Sequence, residues 1–270
     1  ASRMAFWETS PVTIASLAVV AFAALLLCLP SFRRPGIFGL LKKYRHVVLV
    51  VAHPDDEAMF FWPALSQLRD AGVDISVLCL STGNFDGLGQ IRRDEMERSC
   101  EKIGVKGEAL QVLDDAELQD GWHLWPPEAV AQKVHAFLLS RGAGAVLTFD
   151  NIGVSGHPNH ISTSKGVQLA FEQSRTDATL PSFELLLLKS VELHEKYLGP
   201  LCLFSRCESA CEAAAVSCSP FACLAALATH WSQLVWYRVL FATCSRYVYV
   251  NTFQRHTLQS PKDGDCASDG

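Results

Sequence analysis

Short apolar runs alternate with amphipathic stretches from residue 47 onward. VVLVVA at 47–52, DISVLCL at 74–80, ALQVL at 109–113, GAVLTF at 144–149 and FELLLL at 183–188 predict strands. Between them, residues 56–71, 90–103, 127–140 and 159–173 space their apolar positions at helical intervals. Gly72, Gly104 and Gly142 stand just past three of these helices, where a chain commonly turns left-handed to leave its last turn. Strands that are apolar at nearly every position and alternate with helices belong to a parallel sheet covered on both faces. Right-handed crossovers then give an α/β, Rossmann-like three-layer sandwich with a mostly parallel sheet. No G-x-G-x-x-G follows the first strand, which removes the main argument for a dinucleotide.

Two regions depart from this alternation. Residues 12–29 are apolar apart from Thr13 and Ser16 and carry no charge. As a helix they span about 27 Å, which predicts one N-terminal transmembrane helix. The Leu29-Pro30-Ser31-Phe32-Arg33 that follows lacks the small-x-small pattern of a signal cleavage site. Arg3 and Glu8 precede the run, whereas Arg33, Arg34, Lys42, Lys43 and Arg45 follow it, so the domain beyond is expected on the cytosolic side. The second region, 200–230, mixes small residues, cysteines and a proline, and it gives way to Trp231, Trp236, Tyr237, Phe241, Tyr247 and Tyr249 interleaved with Arg238 and Arg246. That mixture suits either a bilayer interface or a terminal helix docked on the core. The expected division is a tail at 1–11, an anchor at 12–29 and a basic linker at 30–44. A catalytic domain follows at 45–195, then a divergent segment with an aromatic and basic region at 196–253, and a disordered tail at 254–270.

Composition narrows the function classes. A formal net charge of −5 argues against a nucleic-acid binder, which presents a basic face. The ten cysteines include no C-x-x-C pair, which argues against a zinc knuckle. They do not follow the framework of a small secreted domain, so they are expected to be reduced.

The candidate chemistry lies at two strand ends. His53-Pro54-Asp55-Asp56-Glu57 follows the first strand directly, at the edge where α/β sheets hold their ligands. His53 and Asp56 are three apart and project toward one point, and both are good ligands for a metal such as zinc. Asp55 points elsewhere and is free to act as a base. The fourth strand runs into Asp150, a glycine-containing loop and His157-Pro158-Asn159-His160, repeating the spacing. Two strands of one parallel sheet bring these turns to the same edge. A third protein ligand from the second turn leaves a position open for water, as catalytic zinc sites do. Carboxylates at a helix start also serve as caps, but two such turns at equivalent strand ends favour a site. His46, His123, His135, His194, His230 and His256 are read as surface or satisfied core residues, and Glu57 as a support for its turn.

AHPDDE after the first strand together with GHPNH in the later turn resembles the PIG-L/LmbE-like zinc deacetylase family. The likeness continues in the Thr82-Gly83-Asn84 turn, in the arginine-rich helix around Gly89–Glu95 and in LTFD before the second motif. Ser232–Tyr237 and Ser245-Arg246-Tyr247 resemble the C-terminal end of the eukaryotic, membrane-anchored branch. The resemblance implies that His53, Asp56 and His160 hold zinc, that Asp55 is the general base, and that His157 stabilises the oxyanion; either His157 or protonated Asp55 supplies the proton to the leaving amine. It makes Arg92 a contact for the polar head of the substrate. Bacterial members often carry aspartate where this chain has Asn159; an aspartate raises the basicity of the neighbouring histidine, whereas an amide only orients it. The implied activity is zinc-dependent removal of the N-acetyl group from N-acetylglucosaminylphosphatidylinositol, a glycolipid partner at the endoplasmic reticulum membrane, in the second step of GPI-anchor synthesis. Deacetylation of another N-acetylglucosaminyl conjugate, or an inactive member acting as a binding subunit, are the competing readings.

Overall fold

A computed structural model describes residues 41, 44–203, 213–217 and 220–258. The expected anchor at 12–29, most of the linker at 30–44 and the chain beyond 258 lie outside the described residues. Among the described residues no helix is long and apolar enough to cross a membrane.

Strands β1 (His46–Val51), β2 (Asp74–Cys79), β3 (Leu110–Val112), β4 (Ala145–Phe149) and β5 (Glu184–Leu188) form the parallel part of a seven-stranded sheet. Two antiparallel strands close one side: β6 (Ala213–Val216) and β7 (Val250–Arg255). The order is β3-β2-β1-β4-β5-β7-β6. Strand order reverses between β1 and β4, which pair in parallel from Val47–Ala145 to Leu49–Leu147. Outside the carboxyl ends of those two strands lies the crevice where doubly wound sheets bind ligands.

The alternation of β1 explains the layers. Val47, Leu49 and Val51 face one core with Phe61, Leu65, Leu68 and Met96, whereas Val48, Val50 and Ala52 face a second core with Val130, Val134, Phe137 and Val167. Helices α1 (Asp56–Phe60), α2 (Trp62–Asp70) and α3 (Gly89–Glu101) cover the first face. The second is covered by α4 (Pro127–Arg141) and α6 (Pro158–Thr176); the one-turn α5 (Gly153–Gly156) precedes α6. This is the expected three-layer sandwich. Gly72, Gly104 and Gly142 all take the left-handed conformation expected of helix ends.

Three details differ from the expected elements. The helix expected over 56–71 is two helices, because Pro63 lacks the N–H that would continue the ladder and the chain restarts at Trp62. After β5 the chain adds α7 (Leu193–Lys196), and the segment at 196–253 adds α8 (Pro220–Leu227) and α9 (Trp236–Cys244), besides β6 and most of β7. Finally, β7 runs to Arg255, two residues into the stretch expected to be disordered, because the edge of β5 pairs with Phe253, Gln254 and Arg255.

Candidate metal centre

His53, Asp55, Asp56, Arg92, His157 and His160 all line one cleft of about 570 Å³ at the carboxyl edge of β1 and β4. The first turn is tighter than a helix start. His53 and Pro54 precede α1, the Asp56 N–H closes a turn on the His53 carbonyl, and Asp55 sits at φ 124°. Asp56 Oδ2 accepts the N–H groups of Ala52 and His53 at 3.0 and 2.9 Å, which locks the carboxylate over the strand end. In the second turn Pro158 occupies the first helical position, where its missing N–H is harmless, and His157 caps the helix. Gly153 permits the close approach, since a Cβ there would meet the His160 Cβ at 2.7 Å. Asp55 and Val154 (φ 62°) are the non-glycine residues with positive φ among the described residues, one in each half of the site. Backbone strain of this kind collects at functional sites.

Hydrogen-bond partners assign the imidazole tautomers. His160 Nδ1 lies 3.1 Å from the Gly153 carbonyl, which can only accept, so Nδ1 carries the proton and Nε2 presents a lone pair. His53 Nε2 faces two acceptors, Asn159 Oδ1 at 3.0 Å and Asp120 Oδ1 at 3.0 Å, so its lone pair is on Nδ1. The orientation of Asn159 is set in turn by the His123 carbonyl on its amide nitrogen and the Gly121 N–H on its oxygen. The two lone pairs therefore face each other: His53 Nδ1 and His160 Nε2 are 3.3 Å apart. Asp56 Oδ1 lies 3.2 Å from His160 Nε2, and Asp56 Oδ2 lies 3.9 Å from His53 Nδ1. In these tautomers three buried electron-pair donors face one another, an arrangement that a cation among them would relieve. Ligand bonds of about 2.0–2.2 Å in a tetrahedron place ligand atoms roughly 3.3–3.6 Å apart; the 3.3 and 3.2 Å spacings are close to that range and the 3.9 Å one, to the other carboxylate oxygen, is longer.

One ligand atom each from His53, His157 and His160 also falls within a 4.8 Å cluster, a spacing that could hold a metal ion. His157 is nevertheless differently employed. Its Nδ1 accepts the Asn159 N–H at 3.2 Å, so the neutral ring carries its proton on Nε2 and has no free lone pair to offer. The set with free electron pairs is His53, Asp56 and His160, and His157 is a hydrogen-bond donor beside it. Asn159 thus orients two histidines, one through its backbone and one through its amide oxygen. Asp120 and Asn159, as acceptors on His53, are the kind of outer partners that fix ligand tautomers.

Burial alone would raise the Asp56 carboxyl, but the neighbouring His160 and His53 outweigh it and bring it down to about 2. Burial, with His53 and His160 close by, pushes His157 down to about 4, so it is neutral near pH 7. For the metal-free protein this predicts a stability window. The unfolded chain protonates this histidine below about 6.5 while the folded one resists until about 4, so folded stability falls as pH drops through that range. Calorimetry of metal-free protein should show the melting temperature falling between those pH values, and falling less in His157→Asn.

Sequence reading missed three groups that face this site. Asp120 comes from the long loop after β3, which has no periodicity to mark it, and its carboxyl is lowered despite burial by His53 and Arg92. Arg238 of α9 pairs with Asp55 Oδ2, and Trp122 packs on the His157 ring at 4.8 Å. Arg92 reaches the cleft as expected. Its Nη1 donates to the Gly83 carbonyl at 2.7 Å and its Nη2 to the Pro54 carbonyl at 3.1 Å, with Nη2 3.8 Å from Asp55 Oδ1.

The PIG-L: GlcNAc-PI de-N-acetylase family matches residues 48–171, the span that holds both turns. The N-acetylglucosaminyl-phosphatidylinositol de-N-acetylase of Bos taurus is 34% identical over 223 residues, covering 81% of this chain and 87% of that protein. The chain belongs to the GlcNAc-PI de-N-acetylase family. The enzyme of the same name from Saccharomyces cerevisiae is 29% identical over 248 residues, covering 77% of this chain and 81% of that protein. In fold, the chain is similar to N,N'-diacetylchitobiose deacetylase from Pyrococcus horikoshii, with a TM-score of 0.59 at 18% identity, covering 93% and 95% of the two chains. As a GlcNAc-PI de-N-acetylase family member the chain is a metal-dependent deacetylase. Its Arg238, however, lies well beyond the matched span, so part of the cleft is built by the C-terminal segment.

Proposed function

We propose that this chain hydrolyses the N-acetyl group of N-acetylglucosaminylphosphatidylinositol, yielding acetate and glucosaminylphosphatidylinositol, with zinc held by His53, Asp56 and His160. The observation that carries this reading is the convergence of two imidazole lone pairs and one carboxylate at 3.2–3.9 Å. Two nitrogens and one oxygen are a donor set suited to zinc, with a fourth position left for water. When bound, the ion lowers the pKa of water toward about 7 and polarises a carbonyl. Asp55, on the lip of the same turn, takes the proton as water attacks the amide carbon. The Nε2–H of neutral His157 is placed to donate to the oxyanion, a preorganised dipole in a half-buried cleft. Collapse of the tetrahedral intermediate breaks the C–N bond and needs a proton on nitrogen. Asp55 returns the one it took, since His157 is neutral near pH 7 and its N–H is engaged. Arg92 holds the Gly83 and Pro54 carbonyls together and presents its guanidinium to the polar head of the substrate.

The lipid part of the reading rests on the relatives' names and on the rim of the cleft. Phe85, Trp122, Trp236 and Tyr237 line it and are exposed. Aromatic groups around a polar cleft suit a sugar presented at a membrane interface. The same reading takes 12–29 as a single-pass anchor in the endoplasmic reticulum membrane, with the domain on the cytosolic side. The deciding test is acetate release from N-acetylglucosaminylphosphatidylinositol by purified protein. Release should stop with a chelator and return with zinc; release indifferent to chelation sinks the metal mechanism, and hydrolysis confined to other N-acetylglucosaminyl conjugates sinks the substrate.

A further inference from the structure

Glu57 and His230 form a pair that the mechanism above does not use. Both are sealed from solvent, at 0% and 1% exposure. His230 Nε2 lies 2.7 Å from Glu57 Oε1, and the other carboxylate oxygen, Oε2, accepts the Asp55 N–H at 3.1 Å. Among the described residues His230 Nδ1 is buried without a hydrogen-bond partner, and the ring's polar contact is to Glu57. The chain therefore runs from His230 through one carboxylate to the backbone of Asp55, whose φ of 124° is sterically costly for a residue with a Cβ. A residue in such a conformation persists only where its surroundings over-determine it.

The location of His230 is as informative as its contact. It stands 173 residues after Glu57, outside the span matched by the family. Its position is set by the turn that ends α8, where its N–H donates to the Leu227 carbonyl at 3.0 Å. Helix α8 is itself seated on α1, with Cys223 Sγ 3.2 Å from the Ala58 carbonyl. The C-terminal segment thus grips the first catalytic turn from below while Arg238 meets Asp55 from the cleft side.

We infer that His230 is a positioning residue which, by fixing Glu57, holds the backbone of Asp55 in the pose from which its carboxylate reaches water. This rests on the reading of Asp55 as the base. Glu57 is not free to act as an acid or base itself: one oxygen is committed to an imidazole and the other to an amide N–H. What the pair supplies is direction. Without a donor from His230 the Glu57 side chain is free to rotate, the Asp55 N–H loses its acceptor, and the strained turn relaxes toward ordinary backbone.

The test uses the full chain with its metal. His230→Leu fills the volume of the ring but cannot donate. Its kcat for acetate release should fall roughly 10- to 100-fold, the scale of a small misplacement of a reacting group, with KM changed by less than about twofold and bound metal unchanged. His230→Gln, which restores an N–H at the same reach, should return kcat to within about threefold of wild type. Hydrogen exchange of the Asp55 amide, followed by mass spectrometry, should be slow in wild type and His230→Gln and faster in His230→Leu. Glu57→Leu should lose as much as His230→Leu, and the double variant no more than either, since both break one link. Wild-type kcat in His230→Leu, a loss that tracks lost metal, additive losses, or no rescue by glutamine would each overturn the inference. An active Asp55→Asn variant overturns the base assignment instead, and the exchange rate of the Asp55 amide then still decides the link.

Discussion

Asp55→Asn should lower the rate of acetate release by about 10²- to 10⁴-fold, the usual contribution of a positioned general base, while the protein keeps its full complement of metal. Asparagine has the shape of aspartate but cannot take a proton from water. Little else in the site changes with it. The backbone conformation is retained, because asparagine is among the residues that best tolerate positive φ. The Asp55 N–H still donates to Glu57 Oε2, since that bond belongs to the main chain. Arg92 loses only a 3.8 Å contact and keeps the Gly83 and Pro54 carbonyls. Arg238 loses its carboxylate partner but keeps Gln233 Oε1 at 3.3 Å. The proposed metal donors are unaffected, because Asp55 contributes none of the converging atoms. Metal analysis beside the rate separates the cases. Full metal with a large rate loss supports the base, whereas a rate near wild type removes Asp55 from the mechanism.

What the sequence made legible is the part built from local pattern. The parallel strands show as apolar runs because both faces of the sheet are covered, and the two ligand turns show because histidine and aspartate crowd the ends of those runs. Parallel topology then places the turns side by side, since β1 and β4 are neighbours. The helix break at Pro63 was readable in principle from the missing N–H alone. Asp120, Arg238 and the Glu57–His230 pair were not readable in this way. Each depends on a long-range contact, and a single sequence carries no signal for such pairings. His230 resembled any other buried histidine until its carboxylate partner was placed beside it. Strands β6 and β7 were missed for a related reason: they are antiparallel and separated by α8 and α9, so no repeat of the strand–helix alternation announces them.

Asp56→Ala and His160→Gln should both leave less than about one-tenth equivalent of metal after dialysis, since each removes one of the three proposed protein donors. They should differ in what remains. His160 spends its polar atoms on the centre and on one carbonyl, that of Gly153, and glutamine fills much of its volume against Phe149. Asp56 carries a second duty, because its Oδ2 takes the N–H groups of Ala52 and His53 at the end of β1. Alanine leaves both donors buried without an acceptor, at a cost of about 1–3 kcal/mol for each. In chelator, where neither variant has metal to lose, Asp56→Ala should therefore melt well below His160→Gln. Equal melting temperatures would mean that the carboxylate serves the metal alone. A normal metal content in Asp56→Ala would instead move the third ligand to His157, which would then have to turn its Nδ1 away from the Asn159 N–H, and crystallography of that variant with zinc would show the turned ring.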